Sequence, residues 1–224
     1  SDFDRLSEKA KQLGKSTQYT ASETASAMEY MAMAGWKTED MLNGIEGVMD
    51  LAAASGEDLA GVSDIVTDAM TAFGLSADGT TKINKDGFTK EVSNASHFAD
   101  VLAAASANSN TNVAMLGESF KYAAPVAGSL GYSVEDTAIA LGLMASSGLK
   151  SSMAGSSLRT ILTNLAKPTD DISDAMDYLG ISLQNGDGSM KSLMDIVTDL
   201  RGAFGQCKMP MDQFQENLAK LDEK

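Results

Sequence analysis

His97 is the single imidazole and Cys207 the single thiol among 224 residues, so base or nucleophile chemistry has one candidate of each kind. His97 follows Asn94 and sits beside Phe98, Asp100 and Val101, which reads as a half-exposed structural histidine rather than a general base. A lone Cys207 excludes an internal disulfide and a Cys-based zinc site, and is compatible with a reducing cytosol. There is no Gly-x-Ser-x-Gly elbow, His-Glu-x-x-His pair or Walker-type loop. Two acidic glycine loops resemble calcium sites at first. With Gly87 or Gly188 at position 6 of a twelve-residue loop, Lys82 or Leu183 falls at position 1 and Ser93 or Met194 at position 12, where none can chelate. Asn84-Lys85-Asp86-Gly87 and Asn185-Gly186-Asp187-Gly188 therefore read as turns. Asp170, Asp171, Asp174 and Asp177 read as a solvated helix start. No catalytic residue, cofactor site or metal site is predicted.

The elements around these residues are helical by their apolar spacing. Leu59, Val62, Ile65, Val66, Met70 and Phe73 draw one stripe on a helix, as do Val92, Ala95, Phe98, Val101, Leu102 and Ala105. The same intervals recur from Phe3 to Leu13, Met41 to Ala52, Ile172 to Leu179, Leu193 to Phe204 and Met211 to Leu221. Thr20 with Glu23 and Ser133 with Asp136 have the capping-box spacing, and Ser55 ahead of Glu57 and Asp58 is placed to receive the first amides of a helix. Gly74, Gly180 and Gly205 follow the last apolar residue of their segments, where a left-handed residue ends a helix. Pro168 suits a first turn, and Pro125 should kink or end the helix carrying Phe120 and Tyr122. The expectation is an all-α compact bundle of nine or ten short helices. Leu75–Phe88 should be a non-helical elaboration, and Ile181–Met190 a small β-hairpin.

A formal charge of −14 repels phosphate backbones and argues against a nucleic-acid module. The charge-free stretch between Asp100 and Glu118 is broken by polar residues from Ser106 to Asn112 and cannot cross a bilayer. Residues 1–30 lack a signal peptide, and the missing initiator Met predicts a single helical domain, 1–224, cut from a longer chain.

The chain also repeats itself. Gly35-Trp36 with Glu39-Asp40 returns as Gly131-Tyr132 with Glu135-Asp136, and Leu51-Ala-Ala-Ala-Ser-Gly56 as Leu143-Met-Ala-Ser-Ser-Gly148. Met70 with Phe73-Gly74-Leu75-Ser76 returns as Met176 with Leu179-Gly180-Ile181-Ser182. Two related units, 16–88 and 112–191, are expected. Gly44 with Gly47, Gly128 with Gly131, and Ala103–Ala105 allow close helix approach, for tight internal packing or an oligomer seam. Met28, Met31, Met33, Met41 and Met49 are core filler or an adaptable surface. Trp36 and Tyr132 should cover helix junctions or act as exposed anchors.

Taken in order, several blocks resemble the core region of bacteriophage tail tape-measure proteins, the phage minor tail protein domain, over residues 16–205. They include Met33-Ala-Gly35-Trp36, Met70-Thr-Ala-Phe73-Gly74, Ala99-Asp-Val-Leu-Ala-Ala-Ala-Ser106, Lys121-Tyr122-Ala-Ala-Pro125-Val-Ala127 and Gly148-Leu-Lys-Ser-Ser-Met-Ala-Gly155. Segment 75–92 reads as a polar insertion relative to that family. The resemblance implies a virion structural protein of the tail interior, made in the host cytoplasm, that sets tail length and leaves with the DNA. It implies partners among tail proteins, namely the tube, its initiator complex or an assembly chaperone, and admits a homo-oligomer. Trp36, Tyr132, Tyr122 and Pro125 are the candidate partner-contact or helix-junction anchors. Two competing readings are a cell-wall-degrading domain, with Glu118 or Glu135 as its acid, and a membrane-active segment over Ala123–Leu158. The latter is low in charge but lacks a basic face.

Overall fold

The computed structural model describes residues 1–85 and 88–206. Within them lie ten helices and one two-stranded hairpin. The order is α1 (Asp2–Ser16), α2 (Ala21–Met33), α3 (Thr38–Ser55), α4 (Leu59–Phe73), β1 (Thr80–Lys85), β2 (Phe88–Ser93), α5 (Asn94–Ala107), α6 (Val113–Ser129), α7 (Val134–Ser146), α8 (Ser151–Ala166), α9 (Asp170–Leu179) and α10 (Leu193–Gln206). The fold is all-α, as the spacing predicts. The stripe at Met211–Leu221, Cys207, Asp86 and Gly87 lie outside the described residues.

Local chemistry explains the helix ends. Thr20 and Glu23 form the expected capping box, with the Glu23 amide donating to Thr20 Oγ1 at 3.2 Å and the Thr20 amide to Glu23 Oε2 at 2.7 Å. Ser133 accepts from the Asp136 amide at 3.0 Å. The cap of α4 is Asp58, not Ser55. Its Oδ1 accepts from the Gly61 amide at 2.7 Å, whereas Ser55 closes α3 and takes the Glu57 amide. Pro168 precedes the N-cap Thr169 of α9 and so lies outside its first turn.

The helix ends repeat one bonding pattern. Gly35 and Gly131 have φ of +85° and +79°, and Trp36 and Tyr132 return their amides to Met31 and Ala127 carbonyls at 3.0 Å. Gly74 and Gly180 end α4 and α9 in the same way. Gly205 does not terminate α10, which runs to Gln206. Pro125 does not end α6 either. The helix continues through it to Ser129, although a proline nitrogen has no hydrogen to donate.

Two compact units divide the chain, Ser1–Lys167 and Pro168 onward. In the first, each helix packs on the next and on the next but one. Odd-numbered helices α1, α3, α5 and α7 thus form one layer, and α2, α4, α6 and α8 the other. Neighbours within a layer run parallel. Arg5 and Lys9 of α1 reach Glu39 and Glu46 of α3, Asp68 of α4 meets Lys121 of α6 at 3.6 Å, and Ser93 Oγ donates to the Asn43 carbonyl at 3.4 Å. Such an array is quasi-one-dimensional, since each helix depends on its nearest neighbours.

Small residues occupy the seams. Gly44 faces Ala95 and the Trp36 ring, Gly47 faces Ser96, Gly117 faces Ile65, and Gly155 faces the Ser119 backbone. Met28, Met31, Met41 and Met49 are buried, which makes them core filler, while Met33 is exposed.

The hairpin fills the segment read as a polar insertion. Thr80 pairs with Ser93 and Lys85 with Phe88 in an antiparallel ladder, so Val92 belongs to a strand rather than to the α5 stripe. Asn94 moors the hairpin root. It is buried, its Nδ2 donates to the Ser76 carbonyl at 2.9 Å, and its Oδ1 accepts from Thr81 Oγ1 at 2.8 Å.

In the second unit, the reversal expected over 181–190 is a single antiparallel bridge between Gln184 and Met190. Asp187 holds its turn by accepting from the Ser189 hydroxyl and amide, which lowers its pKa below the usual carboxylate range. Residues Asp170, Asp171, Asp174 and Asp177 of α9 are all exposed.

Candidate docking surface

Between the parallel helices α5 and α7 lies an apolar groove of about 360 Å³. Ala104, Ala105, Ala138 and Gly142 are among its lining residues, and their small side chains leave the space open. Val101, Ile139 and Leu143 form its walls. Ile139 is 49% and Leu143 58% exposed, so two large aliphatic side chains face water where a helix surface would ordinarily be polar.

Polar contacts close both ends. At one, His97 Nε2 lies 2.8 Å from Glu135 Oε1, joining the first turns of α5 and α7. At the other, the Asn110 amide donates to Ser146 Oγ at 3.3 Å, and Lys150 Nζ donates to Asn110 Oδ1 at 2.8 Å. Glu135 is the one carboxylate that lines the groove, and Glu118 is not among its residues.

The seam between α1 and α3, in the same layer, is built differently. There Arg5–Glu39 and Lys9–Glu46 pair across the top, Arg5 Nη2 lying 3.0 Å from Glu39 Oε2. In the α5/α7 seam, beyond the His97–Glu135 contact, Val101 and Leu143 line the groove and no other ion pair is present among the described residues. An apolar trough thus replaces a charged staple.

Of the four anchor residues that the sequence singles out, Trp36 and Tyr132 are buried, at 7% and 4% exposure, at the α2–α3 and α6–α7 corners. The Trp36 ring lies against Gly44. Tyr122 and Pro125 are exposed, one turn apart on α6. None of the four lines the groove. What sequence reasoning missed is Ile139 and Leu143. The available signal was that α7 carries apolar residues nearly all round, more than one buried face consumes.

The Tyr132 hydroxyl is buried without a hydrogen-bond partner, and burial, then the charge of Asp136, raises its pKa. Replacing Tyr132 by Phe is expected to raise stability by about 1 kcal/mol in urea denaturation, since an unsatisfied hydroxyl is removed and the ring is kept. A loss of similar size would instead mean that the hydroxyl is bonded.

The family profile of phage-related minor tail proteins matches residues 7–221. The chain belongs to this family. Curated relatives agree. A tape measure protein of Pneumococcus phage Dp-1 is 37% identical over 202 residues, which cover 90% of this chain and 16% of that protein. A probable tape measure protein of Escherichia phage P2 is 25% identical over 216 residues, 96% of this chain and 25% of that protein. The chain therefore spans about a sixth to a quarter of the length of these relatives. No solved structure matches it.

Minor tail protein membership makes this a phage tail component. Among the described residues no helix is long and apolar enough to cross a membrane, and no cluster of three His, Cys, Asp or Glu side chains could hold a metal.

Proposed function

We propose that this chain is a non-enzymatic assembly domain of a tape-measure protein, docking on other tail proteins, the tube, its initiator complex or an assembly chaperone, through the α5/α7 groove. Through this docking the parent protein contributes to tail assembly, length determination and genome delivery. The domain works in the tail interior after assembly in the host cytoplasm. The observation that carries this reading is the groove itself, apolar, open and lined by a single carboxylate already engaged by His97. A net charge of −14 suits a protein that shares space with DNA without adhering to it. No observation favours the cell-wall-hydrolase or membrane-active readings.

The test is genetic. With Ile139→Gln and Leu143→Gln in the parent gene of a phage carrying this chain, assembled tails counted by electron microscopy should fall about tenfold while the protein accumulates normally. Both side chains are largely exposed, so stability should change little. Undiminished tail numbers would overturn the proposal.

A further inference from the structure

We infer that Asn185 is a site of spontaneous deamidation, where the turn 185–188 exchanges an amide for a carboxylate and loses hydrogen bonds that close it. The inference is independent of the docking reading, since it concerns the second unit alone.

The chain holds two Asn-Gly pairs, Asn43-Gly44 and Asn185-Gly186, and both asparagines are exposed. In such a pair the glycine nitrogen attacks the asparagine Cγ. A ring N–C bond forms, the Cγ–Nδ2 bond breaks and ammonia leaves. Water then opens the succinimide to aspartate or isoaspartate. Glycine, without a Cβ, leaves the approach unhindered, but its nitrogen must also be free. Gly44 lies inside α3, where its amide is committed to the carbonyl four residues back and its backbone faces the Trp36 ring and Ala95. Gly186 is exposed, nothing lies within 4 Å of where its Cβ would stand, and its amide makes no hydrogen bond among the described residues.

The Asp-Gly pairs are held back by the same criterion. The Gly79 amide donates to the Ser76 carbonyl at 3.2 Å, and the Gly188 amide to the Asn185 carbonyl at 3.0 Å. Ser189 moreover keeps Asp187 as the anion, and an anionic carboxylate resists a nucleophile.

What restrains Asn185 is weak by comparison. Its Nδ2 donates to Ser189 Oγ at 3.0 Å and to the Met190 carbonyl at 3.3 Å, both at the surface. Each such bond slows the reaction by at most about tenfold. Freeing the Gly44 amide requires opening a helix whose buried face runs from Met41 to Ala52, which is far rarer. The product cannot remake the Asn185 bonds, because a carboxylate has no hydrogen to donate. It sets a negative charge beside the Met190 carbonyl, and the single bridge between Gln184 and Met190 loosens.

The intact chain, incubated in mildly alkaline heavy-oxygen water and mapped by peptide mass spectrometry, takes up label where a succinimide has been hydrolysed. Asn185 should convert at least about tenfold faster than Asn43 in the folded chain, and the two rates should converge within about threefold in urea, where α3 is unfolded. Gly186→Ala should slow Asn185 by about tenfold, by placing a Cβ beside the attacking nitrogen. Equal rates at the two sites in the folded chain, no label at Asn185, or a Gly186→Ala chain that converts as fast would overturn the inference. The modified chain, separated by its extra negative charge, should exchange its amides at positions 185 and 191 at least about threefold faster, since these donate across the turn to the Ser189 and Leu183 carbonyls at 2.8 Å. Unchanged exchange would overturn the loosening of the turn.

Discussion

Replacing Phe120 by Ala should lower the stability of the 1–167 unit by about 3–5 kcal/mol, the range for a fully buried aromatic ring. Phe120 is completely buried on α6, with its ring edge-on to Phe98 of α5 at 5.4 Å and tilted 55° to Phe73 of α4 at 6.4 Å. Aromatic pairs of this geometry contribute about 0.5–1.5 kcal/mol beyond area burial. The ring joins both layers at the middle of the stack, so its loss weakens the coupling between the helices before it and those after it. Thermal unfolding should move down by roughly 6–20 °C, at about 2–4 °C per kcal/mol for a unit of this size. A change under about 1 kcal/mol would contradict the placement of α6 at the junction.

Gly155→Ala should also destabilise, against the usual direction of a Gly to Ala change inside a helix. Alanine normally gains about 1 kcal/mol there. At this seam an added Cβ would overlap the Ser119 carbonyl oxygen and lie 2.9 Å from its carbon, and both atoms are backbone. Helix α8 cannot slide away cheaply. Ser119 is buried, and its hydroxyl lies 2.7 Å from the Ser151 carbonyl at the start of α8, where Ser151 itself has φ of +54°. The net expectation is a loss of about 1–2 kcal/mol in urea unfolding, the cost of about 2–3 kcal/mol for forcing volume into a packed seam less the helix-propensity gain. Gly202→Ala in α10, where a Cβ meets nothing, is the control and should be neutral or stabilising by up to about 1 kcal/mol. If both substitutions stabilise, the α6/α8 contact is looser than described.

Legibility in the sequence followed the range of the interaction. The capping box at Thr20–Glu23 and the glycine stops at Gly74 and Gly180 were readable because each depends on residues within one turn of chain. Ser55, and Pro125 as a helix end, misled for the same reason. Asp58 competes three residues later for the same role, and α6 is packed on both α4 and α8, which together outweigh one missing hydrogen bond. The Thr80–Ser93 hairpin escaped because it is held by backbone pairing and by Asn94, with little apolar alternation to announce it. Ile181 and Leu183 do alternate, yet only one bridge forms there.

The amino-acid order alone therefore determined the helices, most of their ends and the family, since these rest on spacing along the chain. Which helices became neighbours, and which side of α7 was left facing water, was decided only by tertiary packing. Helix α7 offers apolar residues on more than one side, and nothing local chooses among them. The choice was made when small residues set α5 and α7 side by side and left Ile139 and Leu143 at the open edge of that contact.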